Sequence, residues 1–397
     1  MTYRLDTKRP HTAILIKLIS LASIGATLFT PGLPAIKKFF QISAGDAQFA
    51  LTLFLVGYAC GQLIYSPFAN RFGRKPVIFG GLVISMIGSL FSALAGPFDS
   101  FTLLVVSRFV TAIGASVGLV LTMTLVNDYY YEHQARKVIP LISTAFAVVP
   151  FLGVAIGGVL VHNFGWESCF YFLLVYYAVV FFFSRKLPET GTNLSRDATR
   201  MSTIIKSYGL ALKDKRLVLF STLFGMTTGM IYIFAATGPL IAINTIKISP
   251  QTYGLLNLIN AATYLAGNLF AARYAKKISL FGMIRLGLTC FGVGYVVLLI
   301  CFSFGMVNPL TLFAPFALAF FGIPVAFAST IVLASSHYED RASGAAMMNF
   351  FNMTIALIAT LIVQNLPGPL TVSMPILMVA LSVVYLVLFK YAKRYAS

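Results

Sequence analysis

The hydrophobic residues of this chain stand in long continuous blocks and do not follow a helical or strand period. Two examples are Val77–Leu94 and Phe101–Val126. Each block is long enough to supply the roughly 20 residues with which a helix crosses a bilayer core. The pattern predicts an all-α integral membrane protein with twelve transmembrane helices. The predicted segments are 13–35, 47–67, 76–96, 101–125, 139–161, 166–186, 217–241, 251–272, 281–304, 310–334, 343–366 and 371–390.

The composition agrees with a membrane protein and excludes a soluble one. Of the 397 residues, 58% are hydrophobic and 10% are charged, and the mean hydropathy is +0.87. A soluble domain carries roughly 25% charged residues. The net charge of +18 would fit a nucleic-acid partner. Its lysines and arginines cluster in the short connections between hydrophobic blocks, however, so we expect a lipid bilayer around the protein and no nucleic acid.

The basic residues also predict the orientation. With the N-terminus in the cytoplasm, 23 lysines and arginines fall on the cytoplasmic side and three on the outer side. This asymmetry is what the positive-inside rule describes. An even number of spans places the C-terminus in the cytoplasm too, so we predict a multi-pass protein of the cytoplasmic (inner) membrane. Three more basic residues lie within segments, namely Lys17, Arg108 and Arg285.

A polar and basic stretch after the sixth segment divides the chain. It predicts an N-terminal six-helix bundle at 1–186, a cytoplasmic linker at 187–216 and a C-terminal six-helix bundle at 217–397. The two halves share a short pattern that recurs with an offset of 206 residues. Parallel repeats of this kind occur in transporters whose substrate binds between the halves, near the membrane midplane. The repeated residues are Ser43, Tyr58 and Gly61 in the first half and Ser249, Tyr264 and Gly267 in the second.

The connection after the second segment reads Asn70-Arg71-Phe72-Gly73-Arg74-Lys75-Pro76. It resembles the signature loop of the major facilitator superfamily, and the order of further motifs resembles the Bcr/CflA drug-resistance branch. The resemblance implies two pseudo-symmetric six-helix bundles that export drugs or related small organic solutes by alternating access. The further motifs are Pro31–Pro34, Arg108–Gly114, Pro150 with Gly153, Gly157 and Gly158, Phe164–Trp166, Leu187–Thr190, and Ser249–Gln251 with Tyr253 and Gly254.

The signature loop has two physical interpretations. Gly73 permits a tight reversal of the chain. The basic side chains can meet the C-terminal ends of helices, or the anionic lipid of the inner leaflet. The loop therefore acts as a gate or as ordinary basic anchoring. We assign Asn70, Arg71, Gly73, Arg74 and Lys75 to a gating loop.

The fifth segment also has two interpretations. Gly153 and Gly157 stand four residues apart, so both lie on one face of a helix and allow close packing. Pro150 removes a backbone hydrogen bond and can kink the helix. Together with Gly158 they predict either a pliable helix along the transport pathway or plain helix packing.

Three positions depart from the branch's pattern. An acidic residue is expected where Thr27 and Asn70 stand, and the fourth segment ends in Val126-Asn127-Asp128 where the branch has Val-Arg-Asp. Every acid and histidine is predicted in a connection or at a segment end. Proton relays in transporters use such residues inside the membrane, so the proton antiport that the resemblance implies is in doubt. These residues are Asp6, Asp46, Asp99, Asp128, Glu132, Glu167, Glu189, Asp197, Asp214, Glu339 and Asp340, with His11, His133, His162 and His337.

Arg108 is the basic residue predicted deepest in the membrane. It lies about seven residues into the fourth segment, or roughly 10 Å at 1.5 Å per residue. A charge at this depth indicates function by default, and its alternative is a side chain that reaches back to the outer interface. Because no acid is predicted inside the membrane to pair with it, Arg108 would favour an anionic or carbonyl-bearing ligand.

Neutral polar residues in the middle of segments complete the predicted solute site. Each has an equally acceptable interpretation as an interhelical hydrogen bond, worth about 0.6 kcal/mol on average. As a set, some of them should line a central cavity. They are Thr27, Thr30, Tyr232, Asn257, Asn260, Asn349 and Asn352.

The leading prediction is a secondary transporter for multidrug-type efflux. Its rival is a carrier of an anionic metabolite or carboxylate-type siderophore, running in either direction and not necessarily coupled to protons. A non-transporting membrane sensor would need an output domain larger than 187–216. The sequence carries no enzyme constellation and no ATP-binding loop. We predict no cofactor, no metal site and a monomer.

Overall fold

The computed structural model describes residues 11–130, 132–191, 194, 199–200, 209–335 and 341–395. Within them every regular element is a helix, and eleven helices are long and apolar enough to cross a membrane. A twelfth span consists of two pieces bent by 42°. The predicted all-α fold with twelve spans is therefore confirmed. The spans are α1 (Thr12–Ile19 and Leu21–Phe39), α2 (Ala44–Phe72), α3 (Arg74–Leu94), α4 (Phe101–Ala115 and Val117–Tyr129), α5 (Glu132–Phe164), α6 (Glu167–Ser184), α7 (Lys215–Pro239, extended by Leu240–Thr245), α8 (Pro250–Tyr274), α9 (Leu280–Ser303), α10 (Pro309–Ser335), α11 (Arg341–Asn365) and α12 (Leu370–Ala392).

The bend in α1 has a local cause. The Ser20 hydroxyl donates to the Ile16 carbonyl at 2.7 Å, and the Ser23 hydroxyl donates to the Ser20 carbonyl at 3.2 Å. Serine and threonine that bond back to their own helix often bend it. The sequence predicted one continuous segment at 13–35, because hydropathy does not register such bonds.

The repeated residues make equivalent contacts in the two halves. Ser43 caps α2 by accepting from the Asp46 N–H at 3.0 Å, and Ser249 caps α8 by accepting from the Thr252 N–H at 3.0 Å. A side chain on Gly61 would meet α4, and one on Gly267 would meet α10. The pattern therefore marks the same helix start and the same close helix pair in each half.

Two hydrophobic cores follow this repeat. One is built mainly from α1–α6, and the other mainly from α7–α12, with Phe151 and Val154 of α5 added to the second. The predicted boundaries of the two bundles and the linker remain a prediction. Residues 192–193, 195–198 and 201–208 of that linker lie outside the described residues.

Candidate solute site between the two halves

The two halves meet closely at one end of the molecule, which we call the distal end. It is the end of the connections 40–43, 165–166, 246–249 and 366–369, away from the basic connections. There the Thr52 hydroxyl of α2 donates to Oε1 of Gln364 in α11 at 3.1 Å. Nε2 of Gln364 donates to the Gly45 carbonyl at 2.8 Å. One glutamine side chain thus joins α11 to two points of α2.

A second contact at the distal end joins α5 to α8. A Cβ atom on Gly158 would collide with the Pro250 carbonyl oxygen and lie 3.1 Å from the Gly254 Cα. A Cβ atom on Gly254 would lie 2.9 Å from the Val154 carbonyl oxygen. The two backbones touch here because small residues let helices approach closely. Gly158 therefore belongs to the contact between the halves.

The other two glycines of α5 face its own half. A Cβ atom on Gly157 would collide with the Leu28 carbonyl oxygen, and one on Gly153 would lie 2.9 Å from the Thr27 hydroxyl. A helix has 3.6 residues per turn, so the single step from 157 to 158 turns the backbone toward a different neighbour. The helix continues through Pro150 without a break.

Aromatic rings fill the space between the halves near the middle of the helices. The ring of Phe151 in α5 lies 5.6 Å from that of Tyr264 in α8 and 5.1 Å from that of Phe320 in α10. Tyr58 of α2 and the predicted Tyr232 of α7 are both buried. Residues from both halves therefore meet at this depth.

Several buried polar atoms on these helices find no hydrogen-bond partner within the described part of the chain. Leaving a buried polar group unpaired costs about 1–3 kcal/mol, so a polar solute that supplied the missing partners would be bound favourably. The sequence reasoning missed Gln48, Tyr58 and Gln62, although Tyr58 was visible as a member of the repeat. The atoms are both amide atoms of Gln48 and Gln62, the hydroxyl of Tyr58, and Oδ1 of Asn260 and Asn352.

The predicted asparagines fall in two places. On α8, Nδ2 of Asn260 donates to Oδ1 of Asn257 at 3.3 Å, and Nδ2 of Asn257 donates to the Tyr253 carbonyl at 2.8 Å. On α11, Asn349 is half-buried and Asn352 is 3% exposed. The first pair is thus held partly by its own helix, whereas Oδ1 of Asn352 keeps an unused acceptor.

The predicted threonines of α1 are used for packing. Thr27 donates both to the Ser23 carbonyl at 3.0 Å and to the Pro150 carbonyl of α5 at 2.9 Å. Thr30 donates to the Thr27 carbonyl at 2.8 Å. Thr27, the residue that replaces the branch's acid, therefore ties α1 to α5.

Arg108 is completely buried inside the first half, which excludes a side chain that reaches the outer interface. Its Nη2 donates to the Gly25 carbonyl at 2.6 Å. Its guanidinium carbon lies 4.3 Å from the ring centres of both Phe29 and Phe54, and 5.6 Å from that of Phe170. Aromatic faces attract a guanidinium. The assignment of Arg108 to solute binding remains a prediction, and its described contacts are with the protein's own backbone and rings.

The signature loop is clamped by Glu189, which follows α6. Gly73 has φ of +97°, a backbone conformation that favours glycine. The backbone N–H groups of Arg74 and Lys75, at the start of α3, donate to the two Glu189 carboxylate oxygens at 2.8 and 2.9 Å. Thr190 and Gly191 add two further N–H donors. A carboxylate at a helix N-terminus is favoured both by these donors and by the helix dipole.

The basic side chains of the loop also contact neighbouring helices. Arg74 donates to the Ala69 carbonyl in the last turn of α2 at 3.1 Å, and its Nε lies 3.4 Å from Oδ2 of Asp128. Lys75 donates to the Arg185 carbonyl at 2.9 Å. Asn70 is exposed, and Arg71 donates to the Thr199 hydroxyl at 2.6 Å. The gating role of these residues stays a prediction.

We expect Glu189→Gln to loosen the start of α3. Burial raises the pKa of Glu189, but the backbone N–H donors of Gly191, Arg74, Lys75 and Thr190 outweigh it and hold the pKa below its usual value. The stabilisation that the ionised Glu189 contributes is therefore fully present above the unfolded-state pKa, about 4.3. It is lost as the pH falls through the lowered folded-state pKa. Hydrogen exchange at the Arg74 and Lys75 amides should be roughly tenfold faster in the variant at neutral pH.

Two comparisons make this test specific. The amides at the start of α9 are the internal control and should exchange alike in both proteins. On acidification, the natural protein should approach the exchange rate of the variant, which has no carboxylate to protonate. Equal exchange at Arg74 and Lys75 in both proteins at neutral pH would contradict the clamp.

The described acidic side chains all lie at helix ends or in connections, outside the middle of any span. The predicted positions Asp6, Asp197, Glu339, Asp340 and His337, and the side chains of Glu132 and His133, lie outside the described part. The described acids are Asp46, Asp99, Asp128, Glu167, Glu189 and Asp214.

A bundle of twelve membrane-spanning helices in two repeated halves, with unpaired polar atoms buried on the helices through which the halves meet, is typical of a membrane transporter. The Major Facilitator Superfamily profile matches residues 17–391, and the chain belongs to that family. Its members and the relatives below are transporters rather than enzymes. The predicted superfamily is therefore confirmed.

The relatives agree with the Bcr/CflA resemblance. The chain is 28% identical over 275 residues to the "Bicyclomycin resistance protein homolog" of Haemophilus influenzae, covering 68% of each chain. It is 29% identical over 316 residues to "Multidrug resistance protein D" of Escherichia coli, covering 79% of this chain and 78% of that one. It is 30% identical over 265 residues to an "Uncharacterized transporter" of Rickettsia felis, covering 66% of this chain and 64% of that one. The match thus spans less than two thirds of the Rickettsia protein.

A solved structure shows the same fold. The crystal structure of a D-xylose-proton symporter superposes with a TM-score of 0.74 at 15% identity. The match covers 94% of this chain and 96% of the symporter. At this identity the likeness concerns the fold alone.

Proposed function

We propose that this chain is a monomeric secondary transporter of the cytoplasmic (inner) membrane that exports small drug-like organic solutes by alternating access. Both termini lie in the cytoplasm in this proposal, so the distal end is the outer end. The observation that carries it is the pair of direct contacts between the halves at the distal end, α2 with α11 and α5 with α8. Contacts carried by two helix pairs can open while each half stays intact.

The chemistry between the halves supports a neutral or lipophilic solute. The rings of Phe151, Tyr264 and Phe320, which meet across the halves, offer flat apolar surface. Tyr58 and Asn352, on the helices α2 and α11 that join the halves, have unused hydrogen-bonding atoms. Such sites bind drug-sized molecules through apolar contact and orient them through a few polar groups. The names of the relatives from Haemophilus influenzae and Escherichia coli point to the same solute class.

A carrier of an anionic metabolite or carboxylate-type siderophore is the second candidate. One observation favours it: Nε and Nη1 of Arg108 have no hydrogen-bond partner within the described part of the chain. Against it, the guanidinium is enclosed by Phe29 and Phe54 and already bonded to the Gly25 carbonyl. An anion would have to displace these groups to reach it.

Transport by the purified protein in liposomes tests the proposal. We expect uptake of lipophilic neutral drugs, with little uptake of mono- and dicarboxylates. We also expect an imposed pH gradient to change the drug flux by less than about twofold, because the described acids lie outside the span middles where proton relays use them.

Each outcome decides between the candidates. Protein-dependent uptake of carboxylates alone would replace drug export by the anion carrier. Drug uptake that requires the pH gradient would keep the solute class and overturn the expectation about protons. Empty liposomes and the oxidised Gly45→Cys/Gln364→Cys protein, whose distal end is cross-linked, are the controls.

A further inference from the structure

Four side chains of neighbouring helices donate hydrogen bonds to backbone carbonyls of α1. Tyr176 and Tyr177 lie side by side on α6, Cys169 lies two turns earlier on the same helix, and Arg108 lies on α4. Their carbonyl partners form what we call the α1 rail, the carbonyls of Lys17, Leu21, Gly25 and Leu28. The bonds run from Tyr176 to Lys17 at 3.0 Å, from Tyr177 to Leu21 at 3.2 Å, from Arg108 to Gly25 at 2.6 Å and from Cys169 to Leu28 at 3.6 Å.

The α1 rail lies on one face of its helix. Its members are spaced by four, four and three residues, and residues at these spacings share a helix face. Hydroxyl groups on the roughly opposite face, from Ser20 to Thr30, bond back to their own helix. Helix α1 is therefore bonded on both sides and already bent by 42° at Ser20. Such a helix can shift its position if the side chains that donate to the rail carbonyls move.

Gly25 is the rail residue that neighbouring side chains approach closely. A Cβ atom there would lie 2.5 Å from the Tyr177 hydroxyl and 3.2 Å from the Phe54 ring. The absence of a side chain leaves room for Tyr177 while Arg108 reaches the Gly25 carbonyl. These two donors consequently hold the bent half of α1 at adjacent turns.

The chemistry of Arg108 fits a group that binds backbone. Burying an unpaired charge is costly. Here the charge is met by a carbonyl oxygen and by the faces of Phe29 and Phe54, and not by any acid of the described chain. Its unused Nε and Nη1 are spare donors with which it can take a second position as the helix moves.

The rail is connected to the contact between the halves. Thr27 of α1 donates to the Pro150 carbonyl of α5, and Gly157 of α5 packs against the Leu28 carbonyl. Two turns beyond Pro150, Gly158 of α5 touches α8 of the other half. A shift of α1 relative to the side chains that donate to its rail would therefore also move α5, which contacts the other half at the distal end.

We propose that Arg108 and Tyr177 are positioning residues that hold residues 21–28 of α1, beyond the Ser20 bend, in place during transport, and that neither is a ligand of the solute. This goes beyond the proposed function, because it needs only that some solute is transported. It replaces the sequence-based assignment of Arg108 to an anion site. Cys169 and Tyr176 donate to the last and first carbonyls of the same rail, those of Leu28 and Lys17.

Transport by Tyr177→Phe, Arg108→Met and Arg108→Lys tests the proposal. Tyr177→Phe removes one hydroxyl and should lower the turnover number roughly threefold, the average worth of one interhelical hydrogen bond in a membrane. Arg108→Met should lower it roughly tenfold or more, because a hydrogen bond to a charged group is worth more. Arg108→Lys should resemble Arg108→Met, since lysine keeps the charge but lacks the planar fork that stacks on rings.

The pattern of the losses separates positioning from binding. For positioning residues, the apparent KM stays within about twofold of the natural value and the loss is equal for anionic, neutral and cationic solutes. Amide hydrogen exchange in residues 21–28 should also rise in every variant. The matched control is Tyr171→Phe, on the same helix but 46% exposed, which should change neither quantity.

Three results would overturn the proposal. The first is a raised KM confined to anionic solutes in Arg108→Met and restored by Arg108→Lys, which would make Arg108 a ligand. The second is a natural turnover number in Tyr177→Phe together with unchanged exchange in 21–28. The third is exchange that rises equally throughout the first half, which would indicate general destabilisation. If the natural protein transports none of the drugs tested, the drug-export proposal fails, and the exchange comparison still decides the role of the rail.

Discussion

Replacing Gly157 with alanine is expected to lower the free energy of unfolding by about 1–3 kcal/mol, the usual cost of overpacking. The added methyl group would collide with the Leu28 carbonyl oxygen and lie 2.8 Å from the Leu28 carbonyl carbon. Both atoms belong to the backbone of α1, so no side chain can rotate away to make room. Helices α1 and α5 would have to separate, and transport should fall roughly tenfold, the equivalent of about 1.4 kcal/mol.

The matched control is Gly292→Ala in α9. A Cβ atom there meets nothing within 4 Å. Alanine has the higher helix propensity, so this variant should be as stable as the natural protein or slightly more stable. Thermal unfolding of the purified variants in detergent and drug uptake in liposomes provide the two measurements. Equal stability of Gly157→Ala and Gly292→Ala would show that α1 and α5 are not in backbone contact.

Oxidising a Gly45→Cys/Gln364→Cys double variant is expected to abolish transport. A Cβ atom on Gly45 would lie 3.6 Å from Cγ of Gln364, where the sulfur of a cysteine would stand. In a disulfide the Cβ atom of one cysteine lies about 3 Å from the sulfur of the other, so the two helices need to approach by roughly half an ångström for the bond to form. The bond would hold α2 to α11 at the distal end, which has to open once in each cycle of the proposed alternating access.

Reduction should restore transport to the level of the reduced double variant. The controls are the two single variants, Gly45→Cys and Gln364→Cys, each of which keeps the natural Cys60, Cys169, Cys290 and Cys301. Each lacks the second introduced cysteine, so oxidation should leave its transport unchanged. A cross-linked protein that transports at its reduced rate would overturn alternating access through this end. Failure of the cross-link to form would contradict the contact itself.

The spans and their grouping could be read from the sequence, because the membrane imposes them locally. A helix in lipid must be apolar for about 20 residues, and its own backbone satisfies its hydrogen bonds. The repeat of Ser43 and Ser249 was likewise readable, since a helix cap is set by a few neighbouring residues. The Ser20 bend in α1 was missed, because its hydroxyl bonds leave the mean hydropathy unchanged.

The site could be read only in part. Thr27, Asn260 and Asn352 were correctly placed in the middle of spans, but their uses differ: Thr27 joins α1 to α5, whereas Asn260 and Asn352 keep unused acceptors. Gln48, Tyr58 and Gln62 were not recognised, because a neutral residue within an apolar segment gives no sign of which side it faces. Glu189 was recognised as part of a motif, but its bonds to the start of α3 were not predicted. The start of α3 is more than a hundred residues away in the chain.

The sequence by itself determined that this is a membrane protein of twelve spans in two related halves, with a charge distribution that predicts its orientation. These properties depend on local composition and on the free energy of transfer into lipid. Only the tertiary structure decided what each buried group does. The carbonyl and rings around Arg108 come from α1, α2 and α6, and adjacent glycines of α5 face different halves of the molecule. Such contacts join residues that are distant in the chain, and helix rotation and packing bring them together.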